Sequence, residues 1–319
     1  MKCVEKYDFC MDTVVYQRVY GKYAEEAVDE ATKKLHDLES ILSLFQSGSD
    51  IHLINHQAGK NWVKVSQDTL NVLHLAKIIS ARTNGAFDVT IGCLSDYWRQ
   101  LRKNQDKPDK KYIEFLLDLV TYQDIQINPN EKVVKLKRPG QQIDLGGIGK
   151  GYAGEKIVDI YQNYSVLSGF INLGGNAVLV GKPPLKKDWK VGIRNPFSND
   201  GKIFGAVRVK NRSVVTSGGY ERYYEKEGFK YHHILDPRTG FPAETEWQSV
   251  TVISESSSFA DALSTAIFVL NQEETVRLIE KNPSVEVIMV SKSRKIGVTR
   301  NIEKNFVKLD QEMSIMMMG

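Results

Sequence analysis

"IDLGGIGKGYAGEK", Ile143 to Lys156, holds five glycines and two lysines in fourteen residues, and its reading decides the fold. A phosphate loop of either standard kind would make the chain a parallel-sheet nucleotide-binding protein. A P-loop requires G-x-x-x-x-G-K-[ST]. Here Asp144 stands five residues before Gly149, and Gly151 follows Lys150 where the magnesium-binding hydroxyl belongs. "GKGYAG", Gly149 to Gly154, does satisfy G-x-G-x-x-G between an expected strand and an expected helix. Yet the strand that ends about 20 residues later, "GFINLGGN", brings no acidic side chain for a ribose, and the stretch lies mid-chain rather than opening a βαβ unit. Both parallel-sheet readings fall. Two local readings remain open: backbone amides at a helix N-terminus with Lys150 beside them, which suit an anion, or a glycine-rich turn that serves close packing.

Outward from this stretch, helix and strand signals alternate. Ala27, Ala31, Leu35, Leu38, Ile41 and Leu42 predict a helix over 25–44, after a strand over 8–20. Residues 70–83 form a second helix closed by Asn84-Gly85, and 111–119 a weaker third. "EKVVKLKRPGQQIDL" predicts a hairpin turning at Pro139-Gly140, followed by a helix over 152–161. Strands then dominate: "GFINLGG", "WKVGI", "FGAVRV", "SVVTSGG", a hairpin in "RYYEKEGFKYHHIL", and "SVTVIS". Helices over 258–270 and 272–281 precede "SVEVIMV" as the last strand. Long helices beside antiparallel hairpins define an α+β fold. With no linker, repeat or low-complexity tract, residues 1–319 are expected to form a single domain.

Composition narrows the function. The 319 residues are 41% hydrophobic, enough for a full core, and 43 basic against 39 acidic side chains leave a net charge of +4. That balance excludes the concentrated phosphate neutralisation of a nucleic-acid binder. No apolar run reaches the roughly eighteen residues of a membrane span, and "MKCVEKYDFCMDT" lacks the apolar core of a signal peptide. As written, the protein is expected in the cytoplasm; it would be extracytoplasmic had an export signal been removed. Cys3, Cys10 and Cys93 are odd in number and scattered, and their spacing indicates neither a disulfide framework nor a zinc site.

Two further stretches carry candidate chemistry. In "HHILDPRTGFP", His232 to Pro242, strand alternation sets Tyr231, His233 and Leu235 on one face and His232 on the other, so one histidine can address a cleft and the other solvent. In "ADALSTAIFVL", Ala260 to Leu270, an apolar stripe of Leu263, Ala266, Ile267 and Leu270 leaves Asp261 and Thr265 together at i,i+4 spacing. A carboxylate and a hydroxyl so placed suit a hard divalent cation, although an Asp near the start of a helix also serves as a cap.

Taken in order, these segments resemble the ApbE-type flavin transferases, the FAD:protein FMN transferases. "MDT" at Met11–Thr13, "SLFQSGSDIHLIN" at Ser43–Asn55, "NGAFDVTIG" at Asn84–Gly92, "IDLGGIGKGYAGEKI", "NLGGN", "VVTSGGYERYY", "HHILDPRTG" and "SVTVI…ADALSTA" carry the similarity over most of the chain. The resemblance implies an ApbE-like fold of antiparallel sheets with flanking helices, and an FAD and Mg²⁺ site in a cleft between lobes. It implies FAD contacts at Met11, Ala86, Phe87, Asp88, Asp144, Lys150 and Leu235, metal ligation by Gly147 (through its carbonyl), Asp261, Ser264 and Thr265, and His233 as general base. The implied reaction is Mg²⁺-dependent transfer of FMN from FAD, as substrate, to a Ser or Thr hydroxyl of an acceptor flavoprotein, with release of AMP. An FAD pyrophosphatase and a non-catalytic FAD-binding protein are the alternatives. Gly149 departs from the family, which commonly has Ala there.

Overall fold

A computed structural model describes residues 2–184, 187–198 and 200–318, with side chains through Ile315 and Met316 at the C-terminal end. The chain opens with β1 (Lys2–Cys10), β2 (Thr13–Gly21), α1 (Ala24–Leu42), α2 (Asp50–His56), β3 (Val63–Lys64) and α3 (Gln67–Arg82). There follow α4 (Gly92–Asn104), α5 (Lys110–Leu117), β4 (Ile125–Asn128), β5 (Val133–Leu136) and α6 (Gly149–Asn163). The second half holds β6 (Ser168–Leu173), β7 (Asn176–Gly181), β8 (Trp189–Arg194), β9 (Ile203–Val209), β10 (Ser213–Gly218), β11 (Tyr223–Lys226), β12 (Phe229–His232) and β13 (Trp247–Ser254). Last come α7 (Ser257–Val269), α8 (Gln272–Glu280), β14 (Glu286–Ser291), β15 (Lys295–Thr299), β16 (Phe306–Lys308) and β17 (Ser314–Met318).

A nine-stranded sheet in the order β1-β2-β6-β7-β10-β13-β14-β15-β17 organises the molecule. Its neighbours run antiparallel except β15 and β17. Alternation along the central strands is apolar on both faces: Val215, Val250, Val252, Val287 and Met289 pack with Leu263 and Ile267 of α7. Their neighbours Val214, Ile253, Ile288 and Val290 pack with Phe204 and Val207 of a second sheet, ordered β16-β9-β8. Strands covered on both sides lose the apolar-polar alternation of a half-exposed sheet, which is why "SVTVIS" and "SVEVIMV" read as nearly unbroken apolar runs. Helix α7 is buried around most of its circumference. No helix among the described residues is long and apolar enough to cross a membrane.

Three local expectations are corrected. The strand over 8–20 is the hairpin β1–β2, turning through Met11 and Asp12 at φ 55° and 58°. A two-residue turn with both positions left-handed matches strand twist but usually announces itself with Asn or Gly, and neither is present. Pro139-Gly140 does not join two strands: β5 pairs back with β4 and with β3, and Gln142 makes only a bridge to Ile91. "SVEVIMV" is not the last strand, since β15, β16 and β17 follow it.

Candidate active site

The glycine-rich stretch is where α6 meets α7. A Cβ on Gly151 would stand 2.4 Å from the Ser257 carbonyl oxygen and 2.7 Å from the Asp261 Cβ, and one on Gly154 would stand 2.8 Å from Val178 Cγ2. Only glycine permits this approach. The Gly151 N–H donates to Asp261 Oδ2 at 2.8 Å, and that of Gly149 to the Leu145 carbonyl at 2.7 Å. Two of the first three amides of α6 are therefore satisfied by protein, and the open nest of amides expected for an anion is not formed. The packing reading holds for the helical half of the stretch. Glu155 of α6 fixes the junction further by accepting from Ser256 Oγ and from the Ser258 amide at the start of α7.

Asp261 is 4% exposed, and engagement of Oδ2 leaves Oδ1 for another ligand. One turn on, Thr265 Oγ1 lies against Gly147: a Cβ there would be 3.3 Å from that hydroxyl and 3.1 Å from Phe87 Cε2. The Gly147 main chain and the Thr265 hydroxyl thus meet one helical turn from Asp261, whose carboxylate is held by the next turn of the glycine-rich stretch. Ser264 Oγ donates to the Asp261 carbonyl at 2.8 Å and lies 2.8 Å from Ser217 Oγ, which is also 3.4 Å from Thr265 Oγ1. Its hydroxyl braces the turn on which Asp261 and Thr265 sit. All these donors are hard oxygens, a set that fits Mg²⁺.

The two histidines do point to different surroundings. His232 does not face solvent: its ring meets Phe268 edge-on at 5.5 Å, and its Nε2 lies 3.2 Å from the Ala243 carbonyl. A carbonyl only accepts, so Nε2 carries the proton and the buried Nδ1 has no partner. His233 is the exposed one, with Nδ1 3.2 Å from the Arg222 carbonyl. By the same logic Nδ1 carries the proton and Nε2 presents a lone pair. Dense surrounding protein, with the charges of Arg222 and Lys150 adding to it, pushes the His233 pKa down to about 4, although the ring itself meets solvent. Desolvation does the same to His232. Lys150 Nζ donates to the Gly146 carbonyl at 3.3 Å, so its charge is shared between the loop and His233.

The remaining candidates divide into neighbours and supports. Met11 Cε would lie 3.7 Å from a Cβ on Gly149, which brings the β1–β2 turn against the same loop. A non-glycine residue held left-handed is strained by about 1 kcal/mol, and such strain gathers at functional sites. Asp144 caps its own loop, Oδ1 accepting from Gly146 N at 2.8 Å, while its N–H donates to the Val89 carbonyl. Asp88 is buried with both oxygens engaged: Oδ1 accepts from the Thr90 amide and hydroxyl, Oδ2 from the Tyr122 amide at 2.8 Å. Its carboxylate therefore shapes the loop that presents Phe87. Ala86 packs in the α7 core, and Leu235 packs with Trp98 among the side chains of α4 and α5. Neither is brought against Gly147 by a described contact.

Ser217, Glu155 and Arg222 escaped the sequence reading. Arg222 holds His233 through its carbonyl and pairs with Asp12 at 2.8 Å, tying the β1–β2 turn to the bend that leads into β11. Backbone contacts and ion pairs between residues 210 positions apart leave no local signal.

Hard oxygen donors, a lysine and a neutral imidazole with a free lone pair are the equipment of a metal-assisted phosphoryl-transfer enzyme. The ApbE family model matches residues 11–289, and the chain belongs to that family. It is 35% identical over 272 residues to an FAD:protein FMN transferase of Klebsiella pneumoniae (strain 342), covering 85% of this chain and 84% of that one. To the FAD:protein FMN transferase of Treponema pallidum (strain Nichols) it is 31% identical over 320 residues, covering 95% and 88%. Among solved structures, the ApbE protein of Thermotoga maritima superposes with a TM-score of 0.88 at 29% identity, covering 95% of this chain and 99% of that one. The α+β architecture is thus the fold of the family.

Proposed function

We propose that this chain transfers FMN from FAD to a hydroxyl of an acceptor flavoprotein and releases AMP, with Mg²⁺ held by Asp261, Thr265 and the Gly147 carbonyl. The observation that carries the reading is the contact of the Gly147 main chain with Thr265 Oγ1, one helical turn from the buried Asp261 and beside the loop that carries Lys150. FAD joins FMN to AMP through a pyrophosphate. In the transfer, a Ser or Thr oxygen of the acceptor forms a bond to the FMN phosphorus, the bond from that phosphorus to the bridging oxygen breaks, and the electron pair leaves with AMP. His233 Nε2 takes the hydroxyl proton, and its Nδ1–H bond to Arg222 keeps the ring oriented for this. Bound Mg²⁺ supplies charge neutralisation on the phosphoryl oxygens and the leaving group. Desolvation first, with the neighbouring positive charges adding to it, keeps the His233 imidazole neutral and so able to accept that proton.

The test is incubation with FAD and Mg²⁺, with and without an acceptor carrying a Ser/Thr flavinylation segment, assaying AMP and protein-bound FMN. Acceptor-dependent FMN attachment with equal AMP is the expected result. AMP and free FMN in equal amounts, unaffected by acceptor, would instead identify an FAD pyrophosphatase; FAD binding without AMP would identify a carrier.

A further inference from the structure

On the opposite flank of the Met11 turn, a second set of donors comes together from β1 and α1. Cys10 Sγ, a His36 ring nitrogen and a Glu39 carboxylate oxygen all lie within 4.8 Å of one another. Cys10 Sγ is 3.4 Å from Glu39 Oε2, and His36 Nδ1 is 3.9 Å from the same oxygen. His36 and Glu39 share a face of α1 at i,i+3 spacing, and that face looks onto the end of β1, where Asp8 and Cys10 point the same way. His36 Nε2 meets Asp8 Oδ2 at 2.7 Å. This leaves Nδ1 directed at the Cys10–Glu39 pair, the carboxylate–histidine arrangement that orients a metal-ligating imidazole.

We propose that Cys10, His36 and Glu39 form a binding site for a borderline divalent cation of the Zn²⁺ class, with Asp8 orienting His36 and a fourth position open to water. In tetrahedral coordination, metal–ligand bonds of about 2.0–2.3 Å place ligand atoms about 3.3–3.6 Å apart. The Cys10–Glu39 separation already meets that spacing, and the half-exposed His36 side chain has room to close the rest. Sulfur and imidazole donors separate this site from the all-oxygen set around Asp261, which suits Mg²⁺. Binding replaces the Sγ–H proton, released to solvent, with a metal–thiolate bond, and no electron is transferred. Glu39 Oε1 also accepts the Met11 N–H at 2.7 Å, which links occupancy to the turn carrying Met11.

Titration of the whole chain with Co²⁺, in the absence of FAD, tests this. A thiolate-to-cobalt charge-transfer absorption saturating at one equivalent and displaced by Zn²⁺ is expected, because oxygen ligands alone cannot produce it. The absorption should persist in Asp261→Ala and Cys3→Ser, vanish in Cys10→Ser, and require about 10- to 100-fold more metal in Asp8→Asn. If Cys10→Ser fails to fold, His36→Ala decides: weakening of at least about tenfold supports the site, and unchanged binding overturns it. Absence of the absorption in folded wild-type protein at saturating Co²⁺, or its survival in Cys10→Ser, also overturns it.

Discussion

Asp261 and His233 stand in opposite kinds of structure. Asp261 lies on a helix buried around most of its circumference, with one carboxylate oxygen fixed by the Gly151 amide and the next turn braced by Ser264 and Ser217. His233 follows a four-residue strand of a two-stranded sheet, exposed to solvent and held by the Arg222 main chain. A hairpin alone is marginal; this one is anchored where Tyr224 and Tyr231 stack at 5.1 Å and Tyr231 meets Trp98. The difference suits the roles proposed for them. A metal donor needs fixed spacing, which a close-packed helix pair supplies, whereas a base that receives a proton from an incoming protein must be reachable from solvent.

Removing the rigid partner should have the largest effect. Asp261→Ala is expected to lower transfer to the level seen in saturating EDTA, while circular dichroism shows a folded protein with modestly reduced stability, about 1–3 kcal/mol for the orphaned Gly151 amide. Full turnover of that variant in EDTA would erase the distinction drawn here. At the reachable site, His233→Ala should reduce transfer by about 10²- to 10⁴-fold, with FAD affinity changed only a few-fold and the melting temperature unmoved. A comparable loss of FAD binding would mean that His233 positions substrate.

Gly151→Ala probes rigidity without touching a donor. Its new methyl would press on the Ser257 carbonyl 2.4 Å away, and denaturant unfolding should show about 1–3 kcal/mol of destabilisation. A neutral result would show that α6 can shift on α7.

Acid should act through both histidines. Each has a folded pKa near 4, against 6.5 for the ordinary group. Between those values the unfolded chain binds the protons and the folded one does not, so stability is complete above about pH 6.5 and falls as pH drops toward 4. The half-buried His232 should contribute on the order of 2 kcal/mol and the exposed His233 less, because solvent screens it. Thermal melts of His232→Gln and wild type across this window should differ in slope. The smallest effect is expected for His232→Ala at neutral pH, about 1 kcal/mol for the lost edge contact with Phe268.

Legibility in the sequence followed the range of the interactions. The periodicity that predicted helices over 25–44, 70–83 and 258–270 reports one face meeting a core, and α1, α3 and α7 lie close to those bounds. Helix α4 carries its signal in Leu94, Trp98 and Leu101, diluted by charged residues on the outer face. Helix α2 has only seven residues, with Ser49 accepting from the His52 amide as its cap, too short for a period to establish itself. The turn at Met11–Asp12 has neither Gly nor Asn and only Asp12 as a turn residue, because register with β6 and the contact with Glu39 impose it.

By itself the sequence determined the α+β class, the order of the principal elements and the family, since these rest on local pattern and on motifs whose order is preserved along the chain. It also placed Asp261 beside Thr265, because helical geometry is fixed by spacing. Tertiary structure decided everything that depends on approach between distant segments. It assigned the glycines of α6 to packing, brought the Gly147 main chain against Thr265, and turned the Asp88 carboxylate inward. It packed the half-buried His232 ring against Phe268 and left His233 exposed. It also gathered Cys10, His36 and Glu39 from a strand and a helix that show no metal-binding spacing. Such contacts arise from the shape of a whole core and the satisfaction of its buried polar groups, and no window of neighbouring residues contains them.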